Sequence, residues 1–455
     1  MSRILIKGGT VIRMDRRARD LPKGDVLIEN DKIVEVARDI DAPKGAEVID
    51  ASDMIVLPGF VNAHLHTWQS GLRGIGGDWS VPQYMSNMHR GLATHFRPED
   101  IYIANLMGAL TSLNSGITTL VDWCHNNPTP EHTDAAIDGL EESGIRAAFL
   151  HGSPKPNPKP GEKHFSYLPM PRGEIERLRR GRLARRDGMI SLGLAILGPT
   201  YSVWEVTQQD MRLAKELDLI VSMHVGGGAP IVADGFERLA KEKLLTDRTN
   251  IVHGNNLSDQ VIELTVDRGV QYTVTADVEM QMGFCNPLTG KLMRLGAPVS
   301  IGTDVEVSAR ADMFYCMRVT LQTQRNLDNV EHWHAHDAAP DMVSVTCRQA
   351  LEWATVNGAK MIHQDHRIGS LAPGKQADIV LLRADDLTIF PVHDPVSSVV
   401  TQGGLTNVDT VLVAGRVMKR NGKLLVEGLP GKMAMLRRSA ERIMADFGLR
   451  APKAA

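Results

Sequence analysis

From Met54 to Asp304 the chain repeats one unit, a short apolar run followed by a stretch with helical spacing of apolar residues. The runs are MIVLPGFVNAH, ITTLVDW, IRAAFLHG, ISLGLAIL, LIVSMHV, NIVHG, VQYTVTA and APVSIGTD. Helical patterns such as Pro98–Ser115, Pro130–Ser143, Thr207–Leu217 and Asp259–Arg268 fill the gaps. Strands that are apolar on both faces and alternate with helices form a parallel sheet covered by those helices. Eight of them predict an α/β fold of the (β/α)8 barrel type. No G-x-G-x-x-G opens a helix after the first strand, so a dinucleotide-binding sheet has no support.

The texture differs at both ends. Residues 1–57 read as short strands with alternating polarity (ILIKGGTVI, DVLIEN, KIVEVA, AEVIDA), broken by Gly, Asn and Asp. The same pattern returns in Gly369–Ala384 and Val408–Lys423. The two ends are expected to pair into one small β domain, residues 1–57 with 367–425, flanking a barrel at 58–366. A segment near 388–402 is expected to pack back on the barrel. Residues 426–455 form a helical tail whose amphipathic part, Lys432–Phe447, serves as a packing or dimer element. A homo-oligomer, dimer or higher, is the expectation. The Pro- and Lys-rich stretch from Gly152, which runs into an arginine-rich helix ending near Gly188, is either an active-site lid or an irregular loop with a solvated basic helix.

A chain of 455 residues exceeds what one core usually fills, roughly 250–300 residues. Its net charge of −3 gives no field for nucleic acid or an anionic membrane, leaving a small-molecule substrate as the expected partner. The first residues read as a strand, with neither a signal-peptide core nor a membrane span. The cysteines Cys124, Cys285, Cys316 and Cys347 are scattered, as free thiols in a reducing compartment would be. A cytoplasmic location is the expectation.

Catalytic groups of a parallel barrel sit at the carboxyl ends of its strands. There the first strand carries His64 and His66, the fifth His224, the sixth His253 and the eighth Asp304. One residue apart on a strand, His64 and His66 point to the same side and can converge on one ion. Three neutral imidazoles and a carboxylate suit Zn²⁺ or Fe²⁺, which lowers the pKa of a bound water toward about 7. Asp304 can touch the metal and also accept a proton, with His253 as a supporting or catalytic imidazole. His125, after the second strand, is a candidate to face substrate. The second H-x-H, in EHWHAH (Glu331–His336), has no strand leading into it and reads as solvated surface.

These motifs resemble the amidohydrolase superfamily, and more narrowly its cytosine/guanine deaminase and triazine-hydrolase (chlorohydrolase) branch. The matching pieces are PGFVNAHLHTWQSGLRG, SGITTLVD, SMHVGGG, NIVHGNNLSD, SIGTDVEVSARADMF, ATVNGAKMI and IGSLAPGKQADIVLL, in family order across nearly the whole chain. The resemblance implies a distorted (β/α)8 barrel with a composite β-sandwich from the two ends. It implies His64, His66, His224 and Asp304 as metal ligands, with His253 near the attacked centre. Binuclear members carry a carboxylated lysine at the end of the fourth strand; ISLGLAILGPT has none, so one divalent ion is expected, Zn²⁺ first and Fe²⁺ second. Gln69 stands where related deaminases place a substrate-binding amide, and Trp68 can either stack on a planar group or pack under the rim.

One departure stands out. Many deaminases of this branch carry H-x-x-E after the fifth strand, and here the glutamate position is Gly227. Glu279 or Glu306 is a candidate to supply the missing carboxyl. The leading expectation is a mononuclear metal-dependent hydrolase, deaminase-like, in which activated water attacks an sp² carbon of a small nitrogen-containing substrate and breaks a C–N bond. His253, Asp304 and Glu279 are the catalytic candidates. The alternative keeps the site and changes the reaction to hydrolytic dechlorination, amide or lactam cleavage, or an amine-condensing cyclisation. A metal-binding scaffold without catalysis is the third class, opposed by the intact set of strand-end residues.

Overall fold

The computed structural model describes residues 2–449, so residues 450–455 of the expected tail lie outside the described chain. Eight parallel strands follow one another in chain order: β1 (Phe60–Leu65), β2 (Ile117–Cys124), β3 (Arg146–Gly152), β4 (Ile190–Ile196), β5 (Ile220–Val225), β6 (Thr249–His253), β7 (Gln271–Val274) and β8 (Val299–Ile301). Every residue of β2 is buried, as expected for a strand with barrel interior on one face and helices on the other.

The ring closes between β8 and β1. Leu65 and Asp304 form a parallel bridge; the Asp304 amide donates to the His64 carbonyl at 2.9 Å and the His66 amide to the Asp304 carbonyl at 2.8 Å. The Thr303 amide adds a bond to Asn62 Oδ1 at 3.1 Å. This approach requires Gly302, because a Cβ there would lie 2.7 Å from the backbone of His64.

The two ends of the chain build one nine-stranded sheet. Strand Met54–Pro58 lies between Arg3–Val11, which it joins in parallel, and Ile379–Arg383, which is antiparallel to it. Its core gathers Ile6, Val26, Ile28 and Val56 from the first end with Ile379, Leu381 and Leu412 from the second. After Gly59 the chain passes straight from this sheet into β1. A buried ion pair also joins the two bodies: Arg146, at the start of β3, meets Asp378 at 2.8 Å, and Asp378 further accepts from the Ala414 amide at 2.7 Å.

Helix Pro395–Thr401 packs on barrel helices Met313–His336 and Cys347–Glu352, with Arg318 donating to the Val400 and Gly403 carbonyls at 3.2 and 2.8 Å. The tail helix Leu429–Asp446 lies on helix Pro98–Asn114, where Ser439 donates to Asp100 at 2.6 Å and Arg442 pairs with the same carboxylate. One face of the tail is therefore used within the chain. The arginine-rich helix Arg172–Arg180 is pinned to the barrel exterior by Arg172–Glu216 at 2.5 Å and Arg177–Asp134 at 2.9 Å. No helix among the described residues is long and apolar enough to cross a membrane.

Removing one member of a buried ion pair leaves the other charge without compensation. Asp378→Ala is therefore expected to cost about 3–5 kcal/mol, read as a lower urea midpoint at unchanged slope. A loss below about 1 kcal/mol, the range of exposed pairs, would show that Arg146–Asp378 does not couple the sheet to the barrel.

Candidate active site

The carboxyl end of the barrel brings together the strand-end residues singled out in the sequence. One donor atom from each of His64, His66, His224 and Asp304 lies within 4.8 Å of all the others, and all four residues are buried. His64 Nε2 is 3.2 Å from His224 Nε2 and 3.2 Å from Asp304 Oδ1; His66 Nε2 is 3.4 Å from the same oxygen. His66 Nδ1 meets the Trp123 carbonyl at 2.7 Å, which places its proton there and leaves Nε2 as a lone-pair donor. Burial pushes the His64 imidazole down to about 4, Asp304 only partly offsetting it, and holds His224 well below the usual range. Burial alone would raise the Asp304 carboxyl, but the imidazoles of His64 and His66 beside it hold it well below the usual carboxylate range. Neutral imidazole nitrogens converging on one ionised oxygen need a cation between them, so the residues fit a divalent metal ion.

Beside this cluster is a cavity with an empty volume of about 460 Å³. His253 lines it, with Nε2 3.8 Å from Asp304 Oδ2. Behind His253, Glu279 Oε1 lies 3.2 Å from Nδ1. Glu279 also accepts from the Thr275 amide at 2.9 Å and from Asn255 Nδ2 at 3.0 Å. It is fully buried and does not line the cavity. The expectation that Glu279 presents a carboxyl to substrate is thereby corrected to a place behind the imidazole. Glu306 is also turned away, buried against Ser70 and paired with Arg73 at 2.8 Å. Both His253 and Asp304 hold left-handed backbone, φ 68° and 62°, a conformation costly for residues with a Cβ and concentrated at functional sites.

The remaining candidates divide in the same way. His125 lines the cavity and stacks on His66 at 4.3 Å between ring centres. Trp68 lies a layer back, its indole N–H donating to His125 Nδ1 at 3.0 Å, which leaves the His125 proton on Nε2. Gln69 is also a layer back and donates to the Tyr84 hydroxyl at 2.6 Å, so Tyr84 rather than the amide faces the cavity. EHWHAH ends the exposed half of helix Met313–His336, away from the cavity.

Four polar cavity residues were not singled out in the sequence: Tyr84, His89, Lys155 and Tyr201. Tyr84 and His89 end two short, consecutive helical turns after β1 (Val81–Tyr84 and Met85–His89), and Tyr201 follows β4. Lys155 stands three residues beyond β3, in the stretch read as a lid or loop; that short spacing from a strand end was the available signal. Its ammonium lies 5.0 Å from the Tyr201 ring centre and 5.7 Å from that of Trp123. The glutamate position of H-x-x-E is filled differently here. Gly227 has φ 74°, and a Cβ on it would lie 2.9 Å from Val81 and 3.3 Å from the Tyr201 hydroxyl. That hydroxyl donates to the Gly226 carbonyl at 2.7 Å.

Comparison with known proteins agrees with this architecture. Residues 55–418 match the family described as "Amidohydrolase family". The chain is 26% identical over 447 residues to a 5-methylthioadenosine/S-adenosylhomocysteine deaminase of Caldicellulosiruptor saccharolyticus, covering 93% of this chain and 94% of that protein. It is 26% identical over 433 residues to a 5'-deoxyadenosine deaminase of Methanothermobacter thermautotrophicus, with coverage of 93% and 94%. Among solved structures, an adenosine deaminase from Xanthomonas campestris with bound zinc superposes with a TM-score of 0.82 at 23% identity, covering 97% of this chain and 98% of that one. An atrazine chlorohydrolase from Arthrobacter aurescens TC1 complexed with zinc gives 0.82 at 23%, with coverage of 96% and 100%.

Lys155 yields a stability prediction. Burial pushes its ammonium down to about 8 from 10.5, against the opposing charge of Asp304. The folded chain therefore gives up this proton near pH 8, while the unfolded chain keeps it to 10.5. The charged form burdens the fold below pH 8, and the burden lifts as pH rises between the two values. Lys155→Met, in metal-free protein, is expected to gain about 1–3 kcal/mol at neutral pH. The gain should shrink as the pH rises, as followed by thermal melting. A gain that grows with pH would contradict this.

Proposed function

The chain belongs to the amidohydrolase family, hydrolases acting on carbon–nitrogen bonds, and from that premise we propose that it hydrolyses a C–N bond at an sp² carbon of a small nitrogen-containing substrate, releasing ammonia or an amine. The observation that carries this reading is the convergence of His64, His66, His224 and Asp304 beside a cavity whose wall is His253. The names of the two curated relatives given above, both deaminases of adenosine-type compounds, support a planar heterocycle as substrate class. Held by these four residues, a divalent ion supplies Lewis-acid chemistry that makes water nucleophilic near neutral pH.

The chain's own groups handle the protons. Asp304 Oδ2 is the oxygen less engaged with His64 and His66, and it accepts the proton of the attacking water. Water's oxygen bonds to carbon, the proton taken up by Asp304 passes to His253 Nε2, 3.8 Å from Oδ2, and the C–N bond breaks as Nε2 hands that proton to the departing nitrogen. Glu279 keeps the other His253 proton on Nδ1, so that Nε2 is the nitrogen that exchanges protons with the cavity. The Lys155 ammonium and the Tyr84 hydroxyl face the same space and orient the substrate.

A second reading rests on Gly227. With no carboxyl at that position to protonate a leaving nitrogen, the same site is suited to a leaving group that departs without a proton, such as chloride. Ammonia and chloride release across paired amino- and chloro-heterocycles separates the two.

Two outcomes are expected. Zinc-supplemented protein should hold about one ion per chain and release ammonia from members of an amino-heterocycle panel; a chain that takes up no metal under those conditions sinks the proposal. Glu279→Gln should lower kcat by about 10–100-fold, the usual effect of a group that orients a catalytic histidine, with metal content unchanged and the pH profile displaced. Unchanged turnover and profile would remove Glu279 from the mechanism.

A further inference from the structure

Lys155 is 4% exposed, yet no carboxylate among the described residues lies within ion-pair distance of its ammonium. The sole carboxylate lining the cavity is Asp304, already engaged with His64 and His66. Burying an ammonium without a partner is costly, and the aromatic faces of Tyr201 and Trp123 recover only part of that cost. Such a charge is retained where something else completes it.

The other polar groups of the cavity point the same way. The Tyr84 hydroxyl accepts from Gln69 Nε2 and keeps its own proton to donate. His125 takes the indole proton of Trp68 on Nδ1 and so carries its own on Nε2. Where a glutamate would have offered an acceptor, Gly227 stands closed in by Val81 and the Tyr201 hydroxyl. A divalent ion with the single charge of Asp304 leaves one positive charge at the centre, and Lys155 adds a second. The cavity thus presents donors and positive charge with no counterion of its own.

We propose that Lys155 determines specificity by binding a carboxylate carried by the substrate close to the C–N bond that is broken. The proposal rests on the hydrolase reading above. It makes the substrate an amino-substituted, planar carboxylic acid, and it explains how the site dispenses with an acceptor at Gly227. The anion takes the place of that acceptor's partner: the recognising charge is on the protein as a cation and on the substrate as an anion.

The test uses benzoate and its neutral isostere benzamide as probes, titrated against the full chain with and without zinc and followed by tryptophan fluorescence, Trp123 lying beside Lys155. Wild type, Lys155→Met, Lys155→Gln and Lys155→Arg are compared. Expected is a preference for benzoate of about tenfold or more in zinc-free wild type, the worth of a charge-assisted hydrogen bond. The preference should vanish in the Met and Gln variants and persist in the Arg variant. An unchanged ratio in the Met and Gln variants overturns the proposal, as does absence of saturable benzoate binding to the wild type. A preference seen only with zinc also overturns it, since the carboxylate then sits on the metal. One zinc per chain without any benzoate preference refutes the role of Lys155 and leaves the hydrolase reading standing. A benzoate preference in a chain that takes up no zinc supports Lys155 and refutes the hydrolase reading.

Discussion

The contact between the end of β8 and the end of β1 is the constraint on which the site depends. Asp304 bonds through its backbone to His64 and His66 while its side chain lies against both imidazoles. The hydrogen bonds that close the barrel and the convergence that prepares a cation site are made by the same residues. Closure demands that nothing larger than hydrogen project from residue 302. It also sets Asp304 in left-handed backbone, which aims the carboxylate inward instead of along the strand. His253 shares that conformation two strands away. The strain at both is held by the surrounding sheet.

Strand-borne residues were legible because strand geometry is periodic. An apolar run ending in H-x-H fixes two imidazoles on one side, and the same logic places His224, His253 and Asp304 at neighbouring ends. The composite sheet was legible for the same reason, since alternation at both ends of the chain matched. Depth was not legible. Glu279, Gln69 and Trp68 were assigned to the neighbourhood of the substrate, yet each stands one layer behind, bonded to His253, Tyr84 and His125 respectively. Sequence spacing gives the end of a strand and not the distance from an axis. Lys155, His89 and Tyr84 come from segments with no period, so their arrival at the cavity depends on tertiary contacts that no local pattern encodes.

The layer behind the cavity has a common task. Each cavity imidazole with a resolved partner has its tautomer set from behind: His66 by the Trp123 carbonyl, His125 by the Trp68 indole and His253 by Glu279. Burial keeps His64, His224, His89 and His125 neutral. The positive charge contributed by side chains on the cavity wall is thereby concentrated on Lys155, a loop residue held between two aromatic rings rather than by an acid. A protein that only needed to be stable would have placed an apolar side chain there.

The passage of strand Met54–Pro58 through Gly59 into β1 also has a temporal consequence. That strand is flanked on one side by Ile379–Arg383, which leaves the ribosome long after His64 and His66 have done so. The segment leading to the first two ligands stays half-paired through most of synthesis, and pairs so distant in sequence are the slow ones to form. The first barrel strand made is thus among the last to have the strand that leads into it fully paired.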